Sequence, residues 1–201
     1  DKDNPLALWW KADYHLSEPA VPDLAQAQKA LERIVELFAR KRDDTSRQWS
    51  DQARSKLRFC ESRRLSLESH RFLKGKRGGP PDPASLKKAR ELLTKARDVY
   101  PEDPRNHMNL GSIELQLKSP EAAIVHCKAA LERNGSYARA HLMLGHAFRA
   151  VGQLKLAKDA FLQCIELDRL NRDSAEAWRA RREVEQELAR SRRRFFNVLA
   201  S

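Results

Sequence analysis

Six histidines, three cysteines and one glycine-rich basic loop are the residues of this chain best suited to chemistry. A metal site needs His, Cys or carboxylate ligands that converge from one helix face or one ligand spacing. His141 and His146 are five residues apart, so on a helix they diverge, and no cysteine or acid completes a set. Cys60, Cys127 and Cys164 are odd in number and far apart, which argues against a disulfide framework and for buried thiols. That usage points to a reducing intracellular compartment, the cytoplasm first. The chain starts at Asp1 and not at Met, so it reads as a trimmed piece with any organelle-targeting segment outside it. The loop from Gly75 to Pro83, GKRGGPPDP, is basic and glycine-rich, but a phosphate-binding loop requires G-x-x-x-x-G-K-[ST] after a strand. It reads instead as a connection. Nucleophile elbow, H-E-x-x-H and dinucleotide fingerprint are all missing from the sequence. The expectation is therefore a protein that is not an enzyme, with no catalytic residues, metal or cofactor.

Charge is the unusual bulk property: 33% of residues are charged and the net charge is +11. No run of about 18 apolar residues occurs, so no transmembrane segment is expected. A basic surface favours acidic partners, whether a protein carrying carboxylates, RNA or an anionic membrane face. Two stretches concentrate the cations. One is a helical face with Arg47, Arg54, Lys56, Arg58, Arg63, Arg64 and Arg71. The other is the terminal cluster Arg192, Arg193, Arg194, Phe195 and Phe196, whose basic and apolar residues suit docking to a partner, a membrane surface or a neighbouring chain. RNA binding by these cations is the alternative to protein binding, although no nucleic-acid motif is present.

The elements that must position these residues follow from a repeat. Leu110-Gly111 returns 34 residues later as Leu144-Gly145, Ala123 as Ala157, Leu131 as Ile165 and Ala130 as Cys164. Each copy, 104–137 and 138–171, reads as two amphipathic helices that cannot bury their apolar faces alone and so stack into a solenoid. Asp82-Pro83, Asp103-Pro104 and Ser119-Pro120 repeat one helix-start signal, a capping residue before a proline in the first turn. Residues 1–44 read as a degenerate hairpin, with a second helix from Asp23 to about Arg42. The segment 45–103 reads as a long helix capped by Thr45 or Ser46, then the Gly/Pro loop, then a helix from Pro83. On the long helix Trp49, Ala53, Leu57, Cys60 and Leu67 share a face, and a hairpin broken near Glu61-Ser62 is the alternative. Residues 172–201 form a capping helix, with Asp173 and Glu176 as a capping box, followed by the basic-aromatic tail. The whole chain is expected to be one array.

At Leu144, Gly145, Ala147, Phe148, Gly152, Ala157, Phe161 and Cys164 the sequence resembles the tetratricopeptide repeat (TPR) family. The preceding unit matches at Leu110, Gly111, Ala123 and Ala130, with Glu114 and Cys127 where the family favours aromatics. The resemblance implies an all-α, right-handed superhelix of antiparallel helix pairs, and a protein–protein interaction scaffold that binds a peptide in its concave groove. The family register places Arg105, Met108, Asn109, Ser112 and Gln116 on that face, then Arg139, Leu142, Met143, His146 and Arg149. Cations there would take carboxylates and Asn109 a backbone amide. Some members hold a chaperone's C-terminal carboxylate with a five-residue clamp of Lys, Asn and Arg. Asn109 and Arg139 sit at matching positions, Met143 replaces a third, cationic residue, and the earlier unit is too degenerate to supply the rest. The segment from Ser62 to Gly111 is also similar to the helical region preceding the catalytic domain of aspartyl/asparaginyl β-hydroxylases, which would imply a substrate-presenting module.

Overall fold

Aspartate side chains start four consecutive helices. In the computed structural model, which describes residues 3–17, 23–41, 43–74, 79–168 and 172–200 (without the side chains of 172, 192 and 194–200), Asp23, Asp43, Asp82 and Asp103 each accept hydrogen bonds from backbone amides of the following turn. Nine helices and no strand occur among the described residues: α1 (Pro5–Ser17), α2 (Leu24–Phe38), α3 (Asp44–Phe72), α4 (Pro83–Val99), α5 (Pro104–Gln116), α6 (Pro120–Arg133), α7 (Ala138–Ala150), α8 (Leu154–Leu167) and α9 (Arg172–Ala200). The cap of α3 is Asp43, not Thr45 or Ser46. Its carboxylate accepts from the Ser46 amide at 2.9 Å and from the Ser46 hydroxyl at 2.7 Å. Ser119 makes no side-chain cap bond, so proline alone marks that joint. The second helix ends at Phe38, short of Arg42. None of the helices is long and apolar enough to cross a membrane, among the described residues.

Consecutive helices pack in pairs, and α5 lies against α7 as α7 lies against α9. Within a pair, glycine sets the spacing. A Cβ on Gly145 would lie 2.5 Å from the Phe161 ring, and one on Gly111 would lie 2.6 Å from Cys127 Sγ and 3.3 Å from the Ala123 carbonyl. Phe161 and Cys127 occupy equivalent positions, so each unit seats a second-helix side chain directly on first-helix backbone. Ala123 and Ala157, read from the sequence as the facing surface, are buried beside these contacts. Burial pushes the Cys127 and Cys164 thiols up to about 12, which leaves both protonated and inert at neutral pH.

The first helix of each good unit also ends alike. Lys118 and Gly152, 34 residues apart, both adopt positive φ, +64° and +76°. The next amide then reaches back to an earlier carbonyl, Ser119 to Glu114 at 2.9 Å and Gln153 to Phe148 at 2.8 Å. This is the left-handed helix stop that glycine adopts without Cβ strain and lysine does not.

The long helix α3 is continuous and serves two clusters. Its first half packs Trp49, Ala53, Leu57 and Cys60 against α1 and α2. Its second half turns Ser62, Ser66 and Ser69 inward, while Leu67 is 38% exposed. Asn106 on α5 donates to Ser62 Oγ at 2.8 Å, a buried bond that ties α3 to the repeats.

Two histidines are built into the α5–α6 pair. His107 is buried, with Nε2 3.3 Å from the Pro101 carbonyl, and its ring lies 6.5 Å from that of His126. Burial holds both imidazoles below their ordinary pKa; Arg133 adds to the effect at His107, and the buried Glu114 opposes it at His126.

Three outcomes follow for stability. Gly145→Leu should cost roughly 1–3 kcal/mol by overpacking the Phe161 seat; an unchanged thermal midpoint would remove the close-approach assignment. Lys118→Gly should raise stability by up to about 1 kcal/mol, because a left-handed lysine costs about 1–2 kcal/mol and the extra chain entropy of glycine offsets only part of that. A denaturant titration reads this, and a lowered midpoint would contradict it. Below about pH 6.5 the unfolded chain takes up protons that folded His107 and His126 resist. Stability should therefore fall as the solution is acidified below that point, and His107→Gln should flatten the slope, as measured by thermal melts across the pH range.

Candidate functional site

The first helices α3, α5, α7 and α9 present one polar face, and its charges fall into two groups. At the α7–α9 end Arg139 and Arg149 of α7 already have carboxylates and His146 lies beside one, while Arg179 of α9 lines the same cleft. Arg149 Nη1 lies 2.6 Å from Glu183 Oε2, its Nε donates to Glu187 at 3.0 Å, and Nη2 also pairs with Glu187. His146 Nε2 is 3.2 Å from Glu176 Oε1, with its ring edge-on to Phe161 at 5.1 Å. Arg139 reaches Asp173 at 3.6 Å. Asp173 and Glu176, read from the sequence as a capping box, instead face α7. These pairs raise the Arg149 pKa, the Glu183 hydrogen bond contributing most.

The other group lies where α3, α5 and the start of α7 meet. Arg63 on α3 is half-buried beside Arg105, and burial first, then the Arg105 charge, lowers its pKa. Asp103 and Tyr137 are its other charged or titratable neighbours. Arg105 Nε donates to Asp103 at 2.9 Å, and its guanidinium stands 5.6 Å from the Phe59 ring centroid. Tyr137, largely buried, feels Arg105 and Arg139 together, which links the cluster across the units. Asn109 and Ser112 are half-buried on the same helix as Arg105. Among the described residues, neither Asn109 nor Arg63 makes a side-chain hydrogen bond or close ion pair. Two guanidiniums that share a single carboxylate in partial burial are under-neutralised, and a further carboxylate placed between them gains charge-assisted bonds.

Two of the groove residues expected from the register belong elsewhere. Met108 and Leu142 are 5% and 1% exposed and pack in the interior, Met108 with Ala130 and Ala140, Leu142 with the α7–α9 core. Each lies three residues before its unit's glycine, on the face turned inward. Met143 is partly buried and bridges the same two clusters. Gln116 is exposed. Of the tail residues, Arg193 is exposed, and the side chains of Arg192, Arg194, Phe195 and Phe196 lie outside the described set. Sequence reasoning missed Arg63, Phe59 and Tyr137 as neighbours of the groove. It read Asp173 and Glu176 only as a capping box and missed Glu183 and Glu187, although the positions 173, 176, 183 and 187 follow a helical face.

Comparison with known proteins agrees with this fold. Tetratricopeptide repeat profiles match residues 85–139 and 138–169. Hsc70-interacting proteins 1 and 2 of Drosophila melanogaster are each 36% identical over 77 residues, 38% of this chain and 20% of theirs. The chain thus spans only part of the length of these curated relatives. The first TPR domain of Spaghetti (RPAP3), solved with the HSP90 peptide SRMEEVD, superposes with a TM-score of 0.56 at 26% identity, covering 64% of this chain and 94% of that one. The first TPR domain of human RPAP3 gives 0.59 at 25% identity, covering 67% and 98%. The Sgt2 TPR domain from Aspergillus fumigatus shares the fold, with a TM-score of 0.59 at 22% identity and coverages of 66% and 82%.

Proposed function

We propose, on the premise that this chain belongs to the tetratricopeptide repeat family, that it is a non-enzymatic scaffold whose groove takes an acidic peptide segment bearing a free carboxylate. The observation that carries this reading is the under-neutralised pair Arg63 and Arg105 beside the unpartnered amide of Asn109. A carboxylate seated there accepts from guanidinium N–H groups, while the Asn109 amide serves the peptide backbone. Arg139, more exposed and held to Asp173 only at 3.6 Å, can release that acid and join the ligand. Arg149 cannot do so as readily, since two acids of α9 already hold it. The groove therefore favours an acidic group at its α3–α5 end.

Two likenesses support the acidic ligand. The Spaghetti domain is bound to a peptide ending in Glu-Glu-Val-Asp, and the curated relatives are named for an Hsc70 interaction. Met143 stands where the family clamp carries a cation, so the match to a chaperone tail is partial and Arg63 supplies positive charge from outside the two regular units.

Fluorescence anisotropy with labelled SRMEEVD, in free-acid and C-amidated forms, tests the reading. Asn109→Ala with Arg139→Ala, and separately Arg63→Ala, should each weaken the free-acid peptide by about tenfold or more with an unchanged thermal midpoint. Equal affinity of the double variant and the parent would sink the groove assignment.

A further inference from the structure

In α5 and α7 the glycines Gly111 and Gly145 seat the unit's own second helix, and their neighbours Leu110, Ile113, Leu144 and Ala147 are all buried, Leu110 and Ile113 with α4. Carried on by 34 residues, the same positions in α9 hold Trp178, Arg179 and Arg181. Trp178, 55% exposed, and Arg179 are not covered, while Arg181 is half-buried. The opposite side of α9, with Ser174, Ala177, Ala180 and Val184, is buried against the preceding unit. So α9 is seated as a first helix, and the side that would receive a second helix is open.

That side is not built for another helix of the array. Where α7 needs a missing Cβ to seat Phe161, α9 has Arg179, and where α5 and α7 put Ile113 and Ala147 it has Arg181. The close, apolar contact of a repeat pair cannot form on it. What it does form is a shallow pocket lined by Trp178, Arg179, Arg181, Arg182 and Glu185. The Arg181 guanidinium lies 5.3 Å from the Trp178 ring centroid and also bonds Glu185 at 3.2 Å. Arg179 turns its Nε to the Ala175 carbonyl at 3.2 Å, and Arg182 is exposed with no ion pair among the described residues. Three guanidiniums thus surround one aromatic face with one carboxylate between them, and Lys158, 3.8 Å away, shares that carboxylate.

We propose that this end face is a second docking site, apart from the α3–α5 end of the groove, for an acidic segment of another protein that lays an apolar side chain on Trp178 between flanking carboxylates. Charge complementarity selects the occupant. The face repels a basic chain such as a second copy of this one, whose net charge is +11, and the indole between guanidiniums suits a mixed acidic–apolar sequence.

The test is anisotropy with a fluorescein-labelled, acetylated and C-amidated short peptide having Glu and Asp on both sides of a central Leu-Phe pair. Amidation withholds the terminal carboxylate that the groove would take. Trp178→Ala, and separately Arg179→Glu with Arg182→Glu, should weaken binding by about tenfold or more, while Arg63→Ala with Asn109→Ala should bind like the parent. These α9 substitutions are at exposed positions, and circular dichroism checks that the helix content is kept. The proposal is overturned if the parent binds no better than it binds a serine-for-acid control peptide, or if only the groove variant loses affinity. It is equally overturned if a single-stranded oligouridylate displaces the peptide at lower concentration than unlabelled peptide does, or if sedimentation shows a dimer that Trp178→Ala abolishes.

Discussion

The missing Cβ atoms of Gly111 and Gly145 are the constraint on which the array depends. With Phe161 carbon and Cys127 sulfur seated where those atoms would be, at 2.5 and 2.6 Å, each second helix lies directly on first-helix backbone. That contact leaves the opposite face of each first helix free to meet the next first helix, and so α5, α7 and α9 stand side by side. The candidate groove face is made of residues that this close packing does not use. Met108 and Leu142 show the same rule from the other side, since they are buried on the inward face with the glycines.

Electrostatics then divides that face. The α9 helix brings four acids against Arg139, His146 and Arg149, and the pairs with Arg149 are close and double. Exposed pairs of this kind add little to stability, but they change what the groove can hold. An incoming carboxylate at Arg149 must displace an existing one, whereas at Arg63 and Arg105 it meets two cations and one acid. The polarity of the groove is thus set by the capping helix as much as by the repeats.

The period and the joints were legible in the sequence because both depend on local chemistry. An Asp-Pro start is a cap and a fixed φ, and Leu-Gly at a 34-residue spacing is one close approach made twice. What was not legible depends on contacts across units. The loop at 75–83 breaks the register, so Arg63 could not be aligned with a groove position. Ser62, Ser66 and Ser69 are polar in sequence and buried in the fold, since small side chains let α4 and α5 approach α3. Leu67, placed inside by its hydrophobicity, is partly exposed for the same reason. The positive φ at Lys118 was hidden because only its counterpart, Gly152, carries the residue that signals it.

A purely solvating cap needs polar residues on its outer side and nothing more. On α9 that side instead keeps a tryptophan at the position of Leu110 and Leu144 and surrounds it with arginines. Solubility does not call for an exposed indole, whose apolar area costs free energy in water. The arginines bar a helix of the array's own kind, while the indole retains an apolar contact for something else. Bulk and charge at the glycine position of α9 therefore bar a contact of the repeat-pair kind and turn that surface from apolar self-stacking toward acidic partners.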